Sequence, residues 1–156
     1  MTSIYLETPI AAPIERCFDL MRDVDVHRHP TAGTGARAIA GVTQGLLQAG
    51  DEVTWEATHL GVRHRLTVHI TRCDRPTRFE DHMVRGAFHA MSHHHAFRLE
   101  RGYTIMEDEF CYTLPFGALG RLVDSLFLRR YLQKLLQHRA RGLKQLAEAE
   151  AADIVY

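Results

Sequence analysis

The sequence predicts an α+β fold, a curved antiparallel sheet of six to seven strands wrapped around a long C-terminal helix, with one or two short helices after the first strand. Three observations carry this expectation. Between Asp51 and Leu114 apolar and polar residues alternate with period two, in runs separated by turn-type residues. The connections HLG, DRP, a GAFH bend and RGY are short, so neighbouring runs are antiparallel hairpins. After Pro115 and Gly117 the period becomes helical over one long stretch whose apolar stripe needs a sheet to cover.

Taken in order, Ser3 to Pro9 reads as a short strand, ended by the Pro9 to Pro13 punctuation. Pro13 sits where a first-turn proline is tolerated and opens a helix to about Asp23, with Ile14, Phe18 and Met21 on one side. From Val24 to Gly50 the chain is loose. It carries His27, His29, Pro30, Gly33, Gly35, Gly41, Gly45 and Gly50, which fits a short second helix or turn and a strand near Ala38 to Val42. Strands follow at about Glu52–Thr58, Arg63–Cys73, Arg78–Gly86, Ala90–Glu100 and Tyr103–Leu114. The last helix runs from about Leu119 to Glu148. Its expected stripe is Leu122, Val123, Leu126, Leu135, Leu136, Ala140, Leu143 and Leu146, with Arg129, Arg130, Lys134, Arg139 and Lys144 mostly off it.

Composition narrows the class. A chain of 156 residues with 46% hydrophobic and 24% charged residues is sized for a single domain spanning 1–156. Its 19 Lys+Arg balance 19 Asp+Glu, which removes the electrostatic case for a nucleic-acid partner or an anionic surface. Cys17, Cys73 and Cys111 are odd in number and far apart, so neither a disulfide framework nor a CxxC site is expected. No basic region followed by an apolar run opens the sequence, and no apolar stretch approaches the ~20 residues of a membrane span. A cytoplasmic location without membrane insertion is the expectation. The unusual feature is the 11 histidines.

The start ETPIAAPIERCFDLMRD, the middle GDEVTWEATHLG, the HHHAF strand followed by GYTIMEDEFCYTLPFGALGRLVD, and the long last helix together resemble the START-like, or SRPBCC, superfamily, nearest its polyketide cyclase/dehydrase-like members. The likeness spans nearly the whole chain and is strongest from Tyr103 to Asp124. It implies the helix-grip fold and a deep, mainly apolar cavity between the long helix and the sheet. It implies no single activity, since the superfamily holds carriers, binders, cyclases and oxygenase domains, and function has to be argued from the site.

Strand parity assigns faces independently of that likeness. Val53, Trp55, Ala57 and His59 share the inward face of one strand, and His64, Leu66, Val68 and Ile70 that of the next, leaving His69 to solvent. Phe79, Asp81 and Met83 align in the third, where Gly86 is a candidate bulge before Phe88. Met91, His93, His95, Phe97 and Leu99 face inward in the fourth, with Ser92 and His94 outward; Thr104, Met106, Asp108, Phe110 and Tyr112 face inward in the last. A turn at Arg101–Gly102 sets Asp108 opposite His95, Met106 opposite Phe97 and Phe110 opposite His93, Cβ atoms about 5 Å apart. A turn at Phe88–His89 sets His95 opposite Met83 and His93 opposite Arg85.

These residues yield the functional expectations. The main one is a binder of a small hydrophobic or aromatic molecule, polyketide-like or lipid-like. Its candidate ligand-binding residues are Trp55, His59, His64, Met83, Phe88, Met91, His93, His95, Phe97, Met106, Asp108 and Phe110. The Asp108–His95 pair has three readings: a structural buried pair, a ligand anchor, or an acid–base pair. In the last, His95 or His93 is catalytic and Asp108 orients it, as in a cyclase or dehydratase working without a cofactor. A protein-interaction module with an incidental cavity is the third class. His93-x-His95 is a geometry that zinc sites use, completed by His59, His64 or Asp108, yet without CxxC, HExxH or a second paired-His motif no metal is assigned. No nucleic-acid partner is expected, and a homodimer is left open.

Overall fold

The computed structural model describes residues 1–29 and 35–153; Pro30 and Gly33 of the loose segment lie outside the described residues. Seven strands form one antiparallel sheet: β1 (Thr2–Ile10), β2 (Arg37–Gly41), β3 (Glu52–His59), β4 (Val62–Asp74), β5 (Arg78–Arg85), β6 (Ala90–Glu100) and β7 (Tyr103–Thr113), in the order β1-β7-β6-β5-β4-β3-β2. The helices are α1 (Ile14–Met21), a 3₁₀ turn at Asp25–Arg28, α2 (Gly117–Val123) and α3 (Arg129–Asp153). The expected α+β architecture is thus present, each strand within a few residues of its predicted bounds. No helix among the described residues is long and apolar enough to cross a membrane.

The β6–β7 register is the expected one, with His95 opposite Asp108, His93 opposite Phe110 and Phe97 opposite Met106. The β5–β6 register is not. Phe79 pairs with His95 and Asp81 with His93, and pairing stops at His82–Ser92. The expected turn at Phe88–His89 assumed a tight hairpin. Instead residues 83–91 open into a wide connection, in which Gly86 is wedged against Met83 Sδ and Leu66 Cδ1 so closely that a Cβ would sit 2.7 and 2.9 Å from them. Met83 pairs with Val68 of β4 rather than with His95. The shift brings a carboxylate, Asp81, alongside the histidine pair.

The long helix differs from its predicted stripe for an identifiable reason. Between α2 and α3 the chain makes one π-helical turn at Asp124–Leu128, which inserts extra residues into the period and rotates what precedes it. Leu122 and Leu126, expected inward, are therefore 54% and 65% exposed, whereas Ala140, Leu143 and Ala147 are buried. Asp124 in that turn accepts hydrogen bonds from Thr2 Oγ1 (2.7 Å) and from the Tyr112 hydroxyl, tying the helix to both β1 and β7. At its other end Lys144 Nζ donates to the Pro9 carbonyl.

Helix α1 forms because Ile14, Cys17, Phe18 and Met21 fall on one face, all buried. Phe18 packs edge-on against Phe97 (centroids 5.5 Å apart) and Phe79 (6.3 Å). Arg22 anchors the segment before β3: its Nη1 donates to the Leu47 carbonyl, and its Nε and Nη2 donate to Asp19. On the outer sheet face Glu56 is covered by Arg37 and Arg65, whose guanidinium groups hold its carboxyl below the usual range.

Phe18→Ala removes the ring that joins α1 to the two phenylalanines beneath it. Urea denaturation is expected to show a loss of about 3–5 kcal/mol; a loss below about 1 kcal/mol would mean that this packing is not the plug described.

Candidate functional site

A cavity of about 410 Å³ lies between the sheet and α3, within the size range of small-molecule sites. Its walls are mostly apolar, from Trp55 and Ala57 on β3, Leu66, Val68 and Ile70 on β4, Phe79, Met91 and Phe110 across the sheet, Phe88 in the β5–β6 connection, Leu128 in the π turn, and Leu132, Leu135 and Leu136 on α3. Helix residues from Phe127 to Arg139 line it in succession, a run of about 18 Å at ~1.5 Å per residue. Leu60 and Phe127, both exposed, mark the open end. His93 and His95, 6% and 4% exposed, mark the closed one.

Of the predicted set, Trp55, His59, His64, Phe88, Met91, His93, His95 and Phe110 line this cavity. Met83, Phe97, Met106 and Asp108 do not. Met83 stays against Gly86 in the wide β5–β6 connection, and Phe97 is taken up by Phe18. Met106 and Asp108 sit behind the histidines, beside a second, much smaller void that His93, His95 and Arg139 also border. Near the open end His59 Nδ1 lies 2.9 Å from the Tyr131 hydroxyl, and the His64 ring is 6.0 Å away. Burial, reinforced by His64, lowers the His59 imidazole below its ordinary value.

Polar side chains converge at the closed end. Asp108 Oδ1 contacts His95 Nδ1 and lies 3.6 Å from His93 Nε2, and the two imidazole centroids are 4.0 Å apart. Neither nitrogen has a hydrogen-bond partner of good geometry. Burial alone would raise the Asp108 carboxyl, but the imidazoles, His95 foremost, hold it well below the usual range. Burial, aided by His95, pushes His93 down to about 4, so its ring is neutral at pH 7. Asp81 faces the cavity from β5, and burial raises its carboxyl.

Sequence reasoning missed two members. His27, read only as part of the loose Val24–Gly50 segment, lies against Trp55 with ring centroids 4.5 Å apart. Arg139 Nη2 lies 3.1 Å from His27 Nε2; a guanidinium only donates, so that nitrogen is the unprotonated one. Burial and the Arg139 charge together hold His27 well below its ordinary value. Arg139 is lowered by burial, with Asp108 and Asp81 opposing. A signal for Arg139 existed, since it continues the three- and four-residue steps of Leu132, Leu135 and Leu136 along the lining face.

Among the described residues one group has metal-ligand spacing: one ligand atom each from Asp81, His93 and His95, all within 4.8 Å of one another. The expected third members fall elsewhere, His59 and His64 toward the opposite end with Tyr131 and Asp108 behind the rings.

No family model matches the sequence, and no curated protein matches it significantly. Solved structures do match its shape. TTHA0849 from Thermus thermophilus is 20% identical with a TM-score of 0.77, over 96% of this chain and 99% of that one. Ginseng major latex-like protein 151 from Panax ginseng is 12% identical with a TM-score of 0.67, over 94% and 97%. CV1439 from Chromobacterium violaceum is 15% identical with a TM-score of 0.70, over 95% and 99%. At such identities the likeness establishes the START-like helix-grip fold, and the fold alone.

His27 and His93, neutral in the fold, make stability acid-sensitive. Their folded values lie below the unfolded value of ~6.5, so the unfolded chain binds protons that the native state refuses. Stability is full above pH ~6.5 and falls as the pH drops below it, for His93 through the window from ~6.5 to about 4 by up to ~1.4 kcal/mol per pH unit, with His27 adding to the fall in the same direction. Denaturation between pH 7 and 5 checks this. His27→Asn is expected to flatten the slope; a wild-type stability independent of pH over that window would contradict it.

Proposed function

We propose that this protein binds a small, largely apolar molecule, aromatic, polyketide-like or lipid-like, that carries one polar oxygen-bearing end. The observation that carries the reading is the polarity gradient of the cavity. Leu128, Leu132, Leu135 and Leu136 face Trp55, Leu66, Val68 and Phe110 along its length, while Arg139, His27, Asp81, His93 and His95 gather at the closed end. An apolar body enters past Leu60 and Phe127, and its polar end meets the Arg139 guanidinium, whose remaining N–H groups are donors. The fold shared with the proteins above supports a cavity in this position without naming what fills it.

The His95–Asp108 contact favours an acid–base reading as the second. With Asp108 behind Nδ1, on the side away from the main cavity, the carboxylate sets the tautomer of a ring that lines the cavity wall. That is the arrangement a general base for a bound carbonyl compound requires.

Two fluorescent probes test the binding reading: anilinonaphthalene sulfonate, apolar with an anionic end, and the uncharged N-phenyl naphthylamine. Both are expected to bind with one site per chain. Leu132→Trp, which fills the middle of the cavity, is expected to weaken both by about tenfold or more, in line with ~0.8 kcal/mol per displaced methylene contact. Arg139→Met is expected to weaken the sulfonate by about 10–100-fold, the value of a charge-assisted hydrogen bond, and to leave the uncharged probe within about threefold. Equal binding of both probes by wild type and Leu132→Trp would refute the reading.

A further inference from the structure

We propose that Asp81, His93 and His95 bind a single divalent transition-metal ion on the cavity wall, with Asp108 as the carboxylate that orients His95 from behind. Asp81 is the direct cross-strand partner of His93, and His95 is two residues further along the same strand face, so the pleat itself aims all three side chains into one space. Their ligand atoms lie within 4.8 Å of one another. Donors on one zinc-sized ion, each bound at about 2.0–2.2 Å, stand about 3.3–3.5 Å apart, so small side-chain rotations suffice to close the site.

The donor chemistry selects the class of ion. Two imidazoles and one carboxylate without a thiolate suit zinc, iron(II), cobalt or nickel rather than magnesium or calcium, which want oxygen alone. His93 and His95 are more than nine-tenths buried, and Asp108 lies against His95 Nδ1 and 3.6 Å from His93 Nε2, which leaves the other nitrogen of each ring as the one to ligate the ion. Position divides the four residues by role: Asp81, His93 and His95 face the main cavity, whereas Asp108 does not and sits behind the rings. A carboxylate behind a ligating histidine is the usual outer support of such sites.

Other charges bear on the site from every side. Arg139 approaches from α3 with His27 bonded to it, and its charge opposes a cation; Asp108 and Asp81 favour the charged guanidinium and offset that charge. With both carboxylates ionised, the ion and Arg139 leave one positive charge, which an anionic oxygen arriving through the cavity would neutralise. Three protein ligands leave a coordination position open in that direction. The ion site stands on the wall residues alone, independent of the ligand proposed above.

The test uses untagged protein stripped with a chelator, titrated with zinc by calorimetry and with cobalt by absorption. One ion per chain is expected, with visible cobalt bands of a four- or five-coordinate nitrogen and oxygen site and no near-ultraviolet thiolate band from Cys17, Cys73 or Cys111. Asp81→Asn, nearly isosteric, and His93→Ala are each expected to lower affinity at least about tenfold, and Asp108→Asn by a comparable or smaller factor; His64→Ala, toward the other end, is expected to stay within about twofold. Circular dichroism reports folding, and should His93→Ala fail to fold, Asp81→Asn and the wild-type cobalt spectrum decide. A stoichiometry far below one, a thiolate band, or unchanged affinity in Asp81→Asn overturns the proposal. Probe binding by the metal-free protein reports on the cavity separately, so failure of one reading is distinguishable from failure of the other.

Discussion

Desolvation of charge at the closed end of the cavity is the constraint on which the site depends. A carboxylate taken out of water is costly unless a partner favours its ionised form. Asp108, 6% exposed, has His95 and His93 as its nearest partners. They resolve its burial, and burial in turn keeps the His93 ring neutral against the pull of that charge. Arg139 then faces both Asp108 and Asp81 from the helix side, so the polar elements of sheet and helix are coupled through a few shared charges. Around them the walls are hydrocarbon. That contrast keeps the interactions strong, because little water is present to screen them.

The long helix and the sheet meet this constraint through different devices. The sheet supplies period-two placement, so three polar side chains from two strands share one face with Phe79 and Phe110. The helix supplies a single lining face, on which Arg139 follows Leu136 after the apolar run is complete. Between them the π turn at Asp124–Leu128 sets the helix's rotation, held by Thr2 and Tyr112. The residues before it present their leucines outward. Leu122 and Leu126 are accordingly exposed.

How much of this was legible in the sequence follows from what each feature rests on. Alternation is local, so the inward faces of β3, β4, β6 and β7 could be read from their residues, except that Leu99 at the end of β6 is 68% exposed, and a tight Arg101–Gly102 turn transmitted the register that pairs His95 with Asp108. The β5–β6 pairing depends on a wide connection around Gly86, where the glycine read as a candidate bulge lies against Met83 and Leu66, and alternation alone does not give the width of that connection. So Asp81 was recognised as inward while its neighbour was misassigned. The helix stripe failed in the first turns for a similar reason, since the π turn arises from tertiary bonds to β1 and β7 rather than from the period. His27 was illegible because its placement comes from Trp55 and Arg139, distant in sequence.

Stability gives a weak account of this polar group. A buried ion pair replaced by well-packed apolar residues of similar volume is often neutral or more stable, while breaking one partner alone is costly. A core of Leu and Phe at positions 81, 93, 95, 108 and 139 would satisfy the fold with no titration below pH 7. The present arrangement instead keeps a neutral His93 ring that makes the protein acid-sensitive, and it places four of its members on a cavity wall rather than in solid packing. Groups that burden the fold and face open space are better explained by what they contact in that space than by what they hold together. On that argument Asp108, which faces no open part of the main cavity, is the member with a positioning role, and Asp81, His93, His95 and Arg139 are those exposed to a guest.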